Sequence, residues 1–261
     1  MSDRLSRMVS LVLATLLVAA GCAQQRLGTV DRLAVGPDAE TLAAGSGQSA
    51  VAIGAAGGLQ AWTEAKMLEL DCVVALYQPD GSYYLTEQRY QVFPWSNAIR
   101  LSGAEPGGRY VWQLSRGAFE LLEGQSRYEG LDVGVDYACI AEGILNLVTA
   151  PARLLDASVE FDRSSAPVKL EGLWYQPIRR TVKADAKDSP ALRETAFYQQ
   201  RSNGRVDMVL LRCAAGTVLV VRGYDYTAVR KGGVLLPSRI EVFKATPGRA
   251  ARKRLIRIDL K

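Results

Sequence analysis

Short apolar segments separated by turn residues occupy most of the sequence between residues 73 and 260, and this pattern constrains the fold more than any other feature. The segments are rich in β-branched and aromatic residues, which favour strands. The breaks contain Gly, Pro, Asn or Asp, for example at residues 79–82 and 202–204, where a chain can turn back tightly. About ten strands at this spacing predict one largely antiparallel sheet.

Two segments predict helices. Residues 137–148 place apolar side chains, among them Ile140 and Ile144, at helical spacing, and Pro151 then ends or kinks the helix. Residues 59–70 show similar spacing and predict a helix at the start of the folded body. A sheet with one apolar face must bury that face. The sequence therefore predicts a mainly β, α+β fold in which one or two helices cover the sheet.

The sequence contains no histidine. This absence removes the Ser-His-Asp and Cys-His arrangements of hydrolases, the commonest general base, and the usual ligand of zinc, copper and iron. The acidic residues form no motif for paired-carboxylate catalysis, and no glycine-rich segment lies between a strand and a helix as a phosphate-binding loop requires. We therefore expect neither an enzyme, nor a metal site, nor a bound cofactor.

Three cysteines lie in the body of the sequence, at Cys72, Cys139 and Cys213. None belongs to a CxxC pair, so neither a zinc site nor a dithiol redox site is predicted. Each has apolar neighbours, and free cysteine is among the most buried residue types. We favour three buried thiols. The alternative, in an oxidising compartment, is one disulfide with one thiol left over.

The N-terminus has the layout of an export signal. Arg4 and Arg7 precede an apolar run at residues 8–20, which is too short to span a bilayer as a helix. Small residues then precede Cys22, and this arrangement resembles the lipobox of exported bacterial lipoproteins. The resemblance implies that residues 1–21 are removed as a lipoprotein signal peptide and that Cys22 is acylated. The alternative is an ordinary secretory leader with a chance cysteine at its end.

Residues 22–58 are predicted to form the lipidated cysteine and a flexible tether. They are rich in Ala, Gly, Gln and Ser and contain no aromatic residue. A flexible segment of about 35 residues has a root-mean-square reach of about 30–35 Å, enough to hold a domain off a membrane surface. The folded body is then predicted to be a single domain over residues 59–261.

The order of the predicted elements resembles the lipoprotein-sorting carriers and receptors of the bacterial envelope, the Lol group. A helix, antiparallel strands, a central helix and further strands follow one another over residues 59–261. Local similarities lie at residues 172–175, 235–240 and 255–260. The resemblance implies a curved antiparallel sheet that forms an open half-barrel, with helices on its concave side. It also implies a hydrophobic cavity that takes acyl chains.

Large apolar side chains are the candidates for lining such a cavity. We select seven residues as a tentative lining: Trp62, Phe93, Trp112, Phe119, Ile144, Trp174 and Phe243. The alternative for each aromatic residue is an ordinary place in the core, because aromatic side chains dominate cores. For residues 92–95, a further alternative is a protruding edge whose Trp95 dips into a membrane interface. The small residues of segment 137–148 predict that this helix moves as a lid over the cavity.

Basic residues are concentrated at the C-terminal end. Residues 249–261 contain six basic side chains against the single acid Asp259: Arg249, Arg252, Lys253, Arg254, Arg257 and Lys261. Such a cluster either faces anionic lipid headgroups or forms the solvated side of a half-buried terminal strand, and the alternation of Ile256 and Ile258 with charged residues favours the strand. The basic residues are not interleaved with aromatic ones, so no nucleic-acid partner is predicted.

These features together predict a lipid-anchored, monomeric envelope protein that is not an enzyme. It would bind a lipid or the acyl chains of a lipoprotein, for transport or localisation. Ala23, and not Asp, follows Cys22, which by similarity to systems with the Lol group implies anchoring in the outer membrane, facing the periplasm. The alternative is a structural or assembly lipoprotein that docks a protein partner through an exposed strand edge or the basic C-terminal strand.

Overall fold

The computed structural model describes residues 30, 32–43, 47–105, 108–124, 135–156, 159–181, 192–229, 233–245 and 252–261. The predicted signal peptide and Cys22 lie outside these residues. The chain divides into two units, Met1–Val35 and Gly36–Lys261. In the described part of the first unit, the Ala34 N–H donates to the Val30 carbonyl at 3.1 Å. The second unit holds the helices and strands that follow.

The described residues of the second unit form five helices and thirteen strands. The helices are α1 (Ala39–Ala43), α2 (Gln48–Ala55), α3 (Leu59–Glu64), α4 (Tyr137–Val148) and α5 (Ala150–Arg153). The strands before α4 are β1 (Leu68–Tyr77), β2 (Tyr83–Phe93), β3 (Ala98–Glu105), β4 (Gly108–Ser115) and β5 (Ala118–Glu123). The strands after α5 are β6 (Glu160–Asp162), β7 (Val168–Leu170), β8 (Leu173–Thr181), β9 (Leu192–Gln200), β10 (Val206–Cys213), β11 (Val218–Ala228), β12 (Leu235–Ala245) and β13 (Arg252–Leu260).

All thirteen strands belong to one sheet. Their order is β5-β4-β3-β2-β1-β13-β12-β11-β10-β9-β8-β6, and β7 also pairs with β8. Every neighbouring pair is antiparallel. The first and last strands, β1 and β13, meet in the middle of the sheet, while β5 and β6 lie at its two ends. The predicted antiparallel sheet is therefore confirmed, and within the described residues it does not close into a barrel.

Helix α4 touches both halves of the sheet. It contacts β10, β11 and β12 on one side and β3 and β4 on the other. β4 and β10 are seven strand positions apart in the sheet, which is roughly 34 Å in a flat sheet at about 4.8 Å per strand. A helix with its side chains is only about 10–12 Å wide. The sheet therefore curls round α4, which confirms the predicted open half-barrel with a helix on its concave side.

The ends of α4 are set by local hydrogen bonds. The side chain of Asp136 accepts from the N–H of Ala138 at 2.9 Å, and the Thr149 hydroxyl donates to the Leu145 carbonyl at 2.6 Å. Ten of its twelve residues are buried, as expected for a helix that is covered on all sides. Gly143 brings the helix close to the sheet, because a Cβ there would lie 2.7 Å from the side chain of Val221.

A disulfide joins Cys139, in the first turn of α4, to Cys213, the last residue of β10. Cys72 is free and buried. The favoured prediction of three free thiols is therefore wrong, and the alternative of one disulfide with one thiol left over is correct. The disulfide also corrects the predicted lid, because it holds the first turn of α4 against β10 and keeps that end from moving away from the sheet.

The packed unit begins before residue 59. Helix α2 lies within the segment that was predicted to be a tether, and its Ala52 and Ile53 belong to the main buried cluster of the protein. The Ser49 hydroxyl donates to the Leu154 carbonyl at 2.8 Å, which fixes α2 beside α5. The predicted boundary therefore moves back to residue 48 or earlier. Small residues, which resembled a flexible linker, here allow a helix to pack closely.

The predicted helix over residues 59–70 is too long. Helix α3 ends at Glu64, and strand β1 already begins at Leu68. Residues Leu68, Leu70 and Cys72 alternate with exposed or half-buried neighbours, which is the period of a strand. Pairing of this segment with β2 along its whole length outweighs the helical spacing of a few apolar residues.

Candidate ligand-binding cavity

A cavity of about 890 Å³ opens between the strands β1–β4 and the ends of β11, β12 and β13. This volume lies within the range of small-molecule sites, about 300–1,000 Å³. Its lining is made of Glu69, Leu70, Asp71, Cys72, Glu87, Gln88, Arg89, Ser102, Gly103, Ala104, Arg109, Thr227, Ala228, Val229, Leu236, Leu260 and Lys261. Leu70, Cys72 and Leu236 also belong to the buried cluster that contains α4, so the cavity reaches the concave face.

One row of cross-strand partners forms the floor of the cavity. Leu260 on β13 pairs with Cys72 on β1, Cys72 with Gln88 on β2, and Gln88 with Gly103 on β3. Antiparallel partners point to the same face of a sheet. Since Cys72 and Gln88 are almost fully buried, the row faces inward. The floor is therefore apolar or small at three positions and carries one amide.

A hydrogen-bonded polar group adjoins this floor. Tyr110 on β4 is the next partner in the row, opposite Gly103, and its ring lies over that glycine, where a Cβ would be only 2.3 Å away. The Gln88 Nε2 donates to the Tyr110 Oη at 2.9 Å. The Tyr90 Oη donates to the Gln88 Oε1 at 2.9 Å. These bonds hold the Gln88 amide in one orientation at the edge of the cavity.

The one free thiol of the described residues is chemically quiet. Cys72 lies in the cavity floor, and burial raises the pKa of its thiol to about 12. The thiolate is the nucleophilic form of cysteine, so at neutral pH Cys72 acts as a small apolar surface. Within the described residues, no group of three His, Cys, Asp or Glu side chains is placed to hold a metal ion.

Charged side chains surround the entrance. Asp71 and Arg89 form an ion pair at 2.8 Å, and the hydrogen bond from Arg89 lowers the pKa of the Asp71 carboxyl. Lys261 and Glu87 form a second pair at 2.6 Å. Arg109, an exposed residue of β4, has no ion-pair partner among the residues described. Within the described residues, Arg109 is thus a rim cation that an anionic group can approach without breaking an ion pair.

The entrance lies beside the first part of β1, outside the stretch that pairs with β13. β13 pairs with β1 only over the stretch from Cys72 to Leu76, and the N–H of Lys261 adds one bond to the Asp71 carbonyl at 2.9 Å. Before Asp71, β1 has no neighbour on that side among the described strands. Both faces of β1 therefore line the cavity, with Leu70 inside and Glu69 outside.

None of the seven predicted lining residues lines this cavity. Trp62, Trp112 and Ile144 lie in the main buried cluster. The Trp62 indole N–H donates to the Ala56 carbonyl at 2.9 Å. Trp112 stacks at a tilt on Phe119, with ring centroids 5.3 Å apart, and Phe119 is exposed at the edge of the sheet. Trp112 and Phe119 are thus brought together, on the concave side and away from the cavity.

The other three predicted residues lie elsewhere. Phe93 is fully buried but outside the main cluster. Trp174 is exposed, and Phe243 is half-buried beneath the guanidinium of Arg254 at 5.7 Å. The protruding edge considered for residues 92–95 is wrong, because the Trp95 Nε1 donates to the Trp62 carbonyl at 3.0 Å and Phe93 is covered.

Sequence reasoning missed Cys72, Gln88 and Gly103 of the floor because they are small or polar. Two signals pointed to them. Thr86 and Gln88 occupy inward positions of a strand whose alternation otherwise calls for apolar side chains. Gly103 lies inside a strand, where glycine often marks the close approach of another group. Which strand supplies the opposite wall depends on the β1–β13 pairing, and no local pattern contains that information.

Three bacterial proteins are among the solved structures to which the chain is similar. A LolA superfamily protein from Nitrosomonas europaea has a TM-score of 0.45 and 15% identity, covering 76% of this chain and 85% of its own. A DUF1329 family protein from Desulfovibrio piger has a TM-score of 0.43 and 11% identity, covering 75% and 84%. A putative outer membrane lipoprotein-sorting protein domain from Vibrio parahaemolyticus has a TM-score of 0.40 and 8% identity, covering 75% and 83%.

The first of these neighbours is named for the LolA superfamily and the third for lipoprotein sorting. No protein-family model matches the sequence. No curated protein matches it significantly. None of the helices described has the length and apolar character needed to cross a bilayer.

Proposed function

We propose that the cavity binds an acyl chain of a lipid or of a lipoprotein, and that the protein is a lipid-anchored binding protein of the bacterial envelope and not an enzyme. One observation carries the proposal. A cavity of about 890 Å³ lies at the strand ends beside the first part of β1, where apolar lining residues adjoin a charged rim. That combination suits an amphiphile, whose chain leaves water while its headgroup stays at the entrance.

Apolar lining residues supply the affinity. Ala228 is exposed and Val229 and Leu260 are half-buried, so these three offer apolar surface to a chain. Burial of a CH₂ group contributes about 0.8 kcal/mol. At the rim, Arg109 is placed to meet a phosphate or carboxylate, and a charge-assisted hydrogen bond there is roughly twice as strong as a neutral one. The Gln88 amide can orient a polar group near the head of the chain.

A longer chain would have to part the buried side chains of the next row of the concave face. Leu70, which lines the cavity, begins a row of cross-strand partners that runs through Tyr90 and Leu101 to Trp112. We therefore keep Trp112 and Phe119, among the residues selected from sequence, as proposed contacts for the far end of the chain. Phe119→Ala is expected to weaken binding of long chains more than that of short ones.

The N-terminus supports the proposed location. Acylation of Cys22 would attach the protein to a membrane, and two or more acyl chains make such attachment stable. Ala23 after Cys22 supports the outer membrane, with the folded body in the periplasm as a monomer. Labelling of cells with a radioactive fatty acid tests this step, because Cys22→Ser is expected to abolish incorporation into the protein.

The binding proposal is tested by lipid uptake. The chain carrying Cys22→Ser is purified without lipidation, and bound lipid is measured by native mass spectrometry and by displacement of a fluorescent fatty acid. We expect one bound amphiphile per protein. Ala228→Trp should reduce uptake at least about tenfold, since Ala228 is an exposed lining residue whose replacement fills the entrance without entering the core.

Ala118→Trp is the matched control. Ala118 is also exposed on a strand, at the edge of the sheet, and does not line the cavity. It should bind the fluorescent fatty acid as the parent chain does. Equal uptake by the two tryptophan variants, or no uptake by the parent chain, would contradict the proposal.

A structural or assembly role is the second candidate, and one observation favours it. Strand β5 lies at the end of the sheet, and all six of its residues are exposed. Phe119, Leu121 and Leu122 are among them, and an exposed apolar edge can pair with a strand of another protein. If the parent chain takes up no lipid, crosslinking from β5 in cells should then identify such a partner.

A further inference from the structure

A second surface lies at the hairpin that joins β7 to β8, three strand positions from β11, the nearest strand that lines the cavity. Trp174, near the start of β8, is 53% exposed, whereas the other three tryptophans of the sequence are buried or half-buried. Tyr175, the next residue, is fully buried. Successive side chains of a strand point to opposite faces, so Trp174 points away from the packed side of the hairpin.

Contacts with other strands fix this hairpin in place. Its two turn residues, Glu171 and Gly172, both have positive φ, 49° and 86°, as in a two-residue turn of type I′. Glu171 forms an ion pair with Arg222 on β11. The Tyr175 hydroxyl donates to the Asp207 carboxylate on β10 at 3.4 Å. The hairpin is thus tied to two other strands, and its exposed face is held outward.

Two basic side chains flank Trp174 on the same face. Lys169 on β7 is its cross-strand partner, and antiparallel partners point to the same face. On the other side, the Arg201 N–H donates to the Trp174 carbonyl at 2.9 Å, which continues the pairing of β8 with β9. Lys169 and Arg201 are both exposed. We call Lys169, Trp174 and Arg201 the basic row.

The positive charge of the basic row is not balanced by neighbouring acidic groups. Neither Lys169 nor Arg201 forms an ion pair among the residues that the structure describes. The acidic residue nearest to Lys169 along the chain is Glu171, and its carboxylate is already ion-paired with β11. The next cross-strand partners on this face, Gln176 and Gln199, are uncharged. The row therefore presents two cations to a ligand outside the protein.

We propose that the basic row anchors the folded body on the surface of an anionic lipid bilayer. Tryptophan is enriched at the interface between hydrocarbon and water. Lys and Arg near a surface of anionic lipids add attraction that falls off with salt. An acidic protein would need a pocket for the indole with carboxylates placed on both of its sides. The phosphates of a fluid bilayer rearrange around the ring, which favours the lipid surface.

This contact goes beyond the proposed function and does not depend on the ligand of the cavity. Membrane attachment is strengthened when an acyl anchor is combined with basic side chains. An acyl anchor at Cys22 alone would leave the folded body free to turn, whereas a second contact at the start of β8 fixes its orientation on the bilayer.

Binding of the full chain carrying Cys22→Ser to vesicles is measured by co-sedimentation. Vesicles of phosphatidylcholine with phosphatidylglycerol are compared with vesicles of phosphatidylcholine alone. We expect binding to the anionic vesicles only, and a decrease as salt is raised. Trp174→Ala should weaken binding roughly tenfold, and Lys169→Glu or Arg201→Glu should each weaken it at least about fivefold. All three side chains are exposed, so the fold should persist.

Tryptophan fluorescence identifies the residue that enters the bilayer. Brominated phosphatidylcholine in the anionic vesicles quenches rings that reach the lipid, and Trp62, Trp95 and Trp112 are buried or half-buried in the protein. We expect quenching of the parent chain and little quenching of Trp174→Phe, which keeps an aromatic ring and should keep most of the binding. Adsorption by charge alone would leave the quenching of the two chains equal and would contradict the role of Trp174.

Tyr83→Ala and Lys66→Glu are the matched controls. Tyr83 has an exposed fraction of 59%, and Lys66 is exposed between α3 and β1. Neither residue lines the cavity, and both variants should bind vesicles as the parent does. Trp174→Ala should still take up the fluorescent fatty acid, so loss of docking and loss of uptake are separate results. Equal losses in control and row variants would overturn the proposal. So would absence of binding to anionic vesicles, which would leave an acidic protein surface as the partner.

Discussion

Tyr110 lies directly over Gly103, its partner on the neighbouring strand, so closely that any side chain at residue 103 would meet the ring within 2.3 Å. The glycine leaves the space in which the ring can lie across the sheet. From there the Tyr110 hydroxyl reaches the Gln88 amide at 2.9 Å. Because Gly103 on β3 has no side chain, the Tyr110 ring on β4 can reach across β3 and hold the Gln88 amide on β2 in the floor of the cavity.

Gly103→Ala should therefore destabilise the protein and disturb its cavity. The added methyl group must displace the Tyr110 ring, and overpacking of this kind costs about 1–3 kcal/mol. The displaced hydroxyl also loses its bond with Gln88. Urea denaturation measures the free energy of unfolding, and displacement of a fluorescent fatty acid measures the cavity.

Gly54→Ala serves as the control for the glycine. Gly54 lies in α2, and a Cβ there would meet no other atom within 4 Å. Replacement of a helical glycine by alanine favours the helix by roughly 0.5–1 kcal/mol, so this variant should be slightly more stable than the parent. If the free energy of unfolding changes by the same amount in Gly103→Ala as in Gly54→Ala, the Tyr110 ring adjusts without cost, which would contradict the prediction.

Removal of the disulfide should destabilise the protein and loosen α4. The bond closes a loop between residues 74 positions apart, and loss of a native disulfide typically costs roughly 2–5 kcal/mol. The double variant Cys139→Ala, Cys213→Ala leaves no unpaired thiol and should lower the denaturant midpoint by a corresponding amount. Hydrogen exchange should show faster exchange in the first turn of α4. Titration of the unreduced, unfolded Cys22→Ser chain should find a single thiol, and three thiols would contradict the assignment.

Cys72 should resist alkylation in the native protein. Burial raises the pKa of its thiol to about 12, so almost no thiolate exists near neutral pH. Iodoacetamide should modify it only after unfolding. A group whose pKa is raised on folding loses its stabilising contribution as pH rises between its unfolded and folded values. As pH rises from about 9 to 12, the free energy of unfolding of the parent should therefore fall relative to that of Cys72→Ala.

Asp207→Asn should stabilise the protein at neutral pH. Burial raises the pKa of the Asp207 carboxyl, although the hydrogen bond from Tyr175 and the charge of Arg222 act in the opposite direction. The ionised carboxylate therefore disfavours the native state above that pKa. The amide removes this penalty, and we expect a gain on the order of 1 kcal/mol, or about 2–4 °C in Tm. The gain should shrink as pH falls and the parent carboxyl becomes protonated.

Asp71→Asn is expected to behave in the opposite way. The hydrogen bond from Arg89 lowers the pKa of the Asp71 carboxyl, so its stabilising contribution is present at neutral pH and disappears on acidification. This variant should be slightly less stable than the parent at neutral pH and equal to it in acid. Thermal unfolding over a series of pH values measures both aspartates. The same pH trend in the two variants would contradict the assigned directions.

Local patterns in the sequence were enough to predict most of the elements. The turn at residues 202–204 joins β9 to β10 as expected, and the apolar spacing of residues 137–148 matches α4 to the residue. Such patterns succeed because helix and strand periods, caps and turns depend on near neighbours. They failed at residues 59–70, where pairing of β1 with β2 competes with helical spacing, and at α2, where small residues pack into the core.

The candidate site was less accessible from sequence. The aromatic residues selected for it lie in the core, on the convex face or at the sheet edge, because size and hydrophobicity predict burial but do not say against which surface. The floor of the cavity, Leu260, Cys72, Gln88 and Gly103, is a row defined by the register between strands. A shift of one residue in that register would turn every one of these side chains to the opposite face.

The sequence by itself determined the class of the fold, the position of the central helix and the absence of histidine chemistry, because each of these depends on composition or on residues close together in the chain. Only the tertiary structure decided that β1 lies beside β13, that Cys139 meets Cys213, and that a cavity lies beside the first part of β1. These relationships join residues that are far apart along the chain. Their geometry depends on strand register and on the curl of the whole sheet round α4.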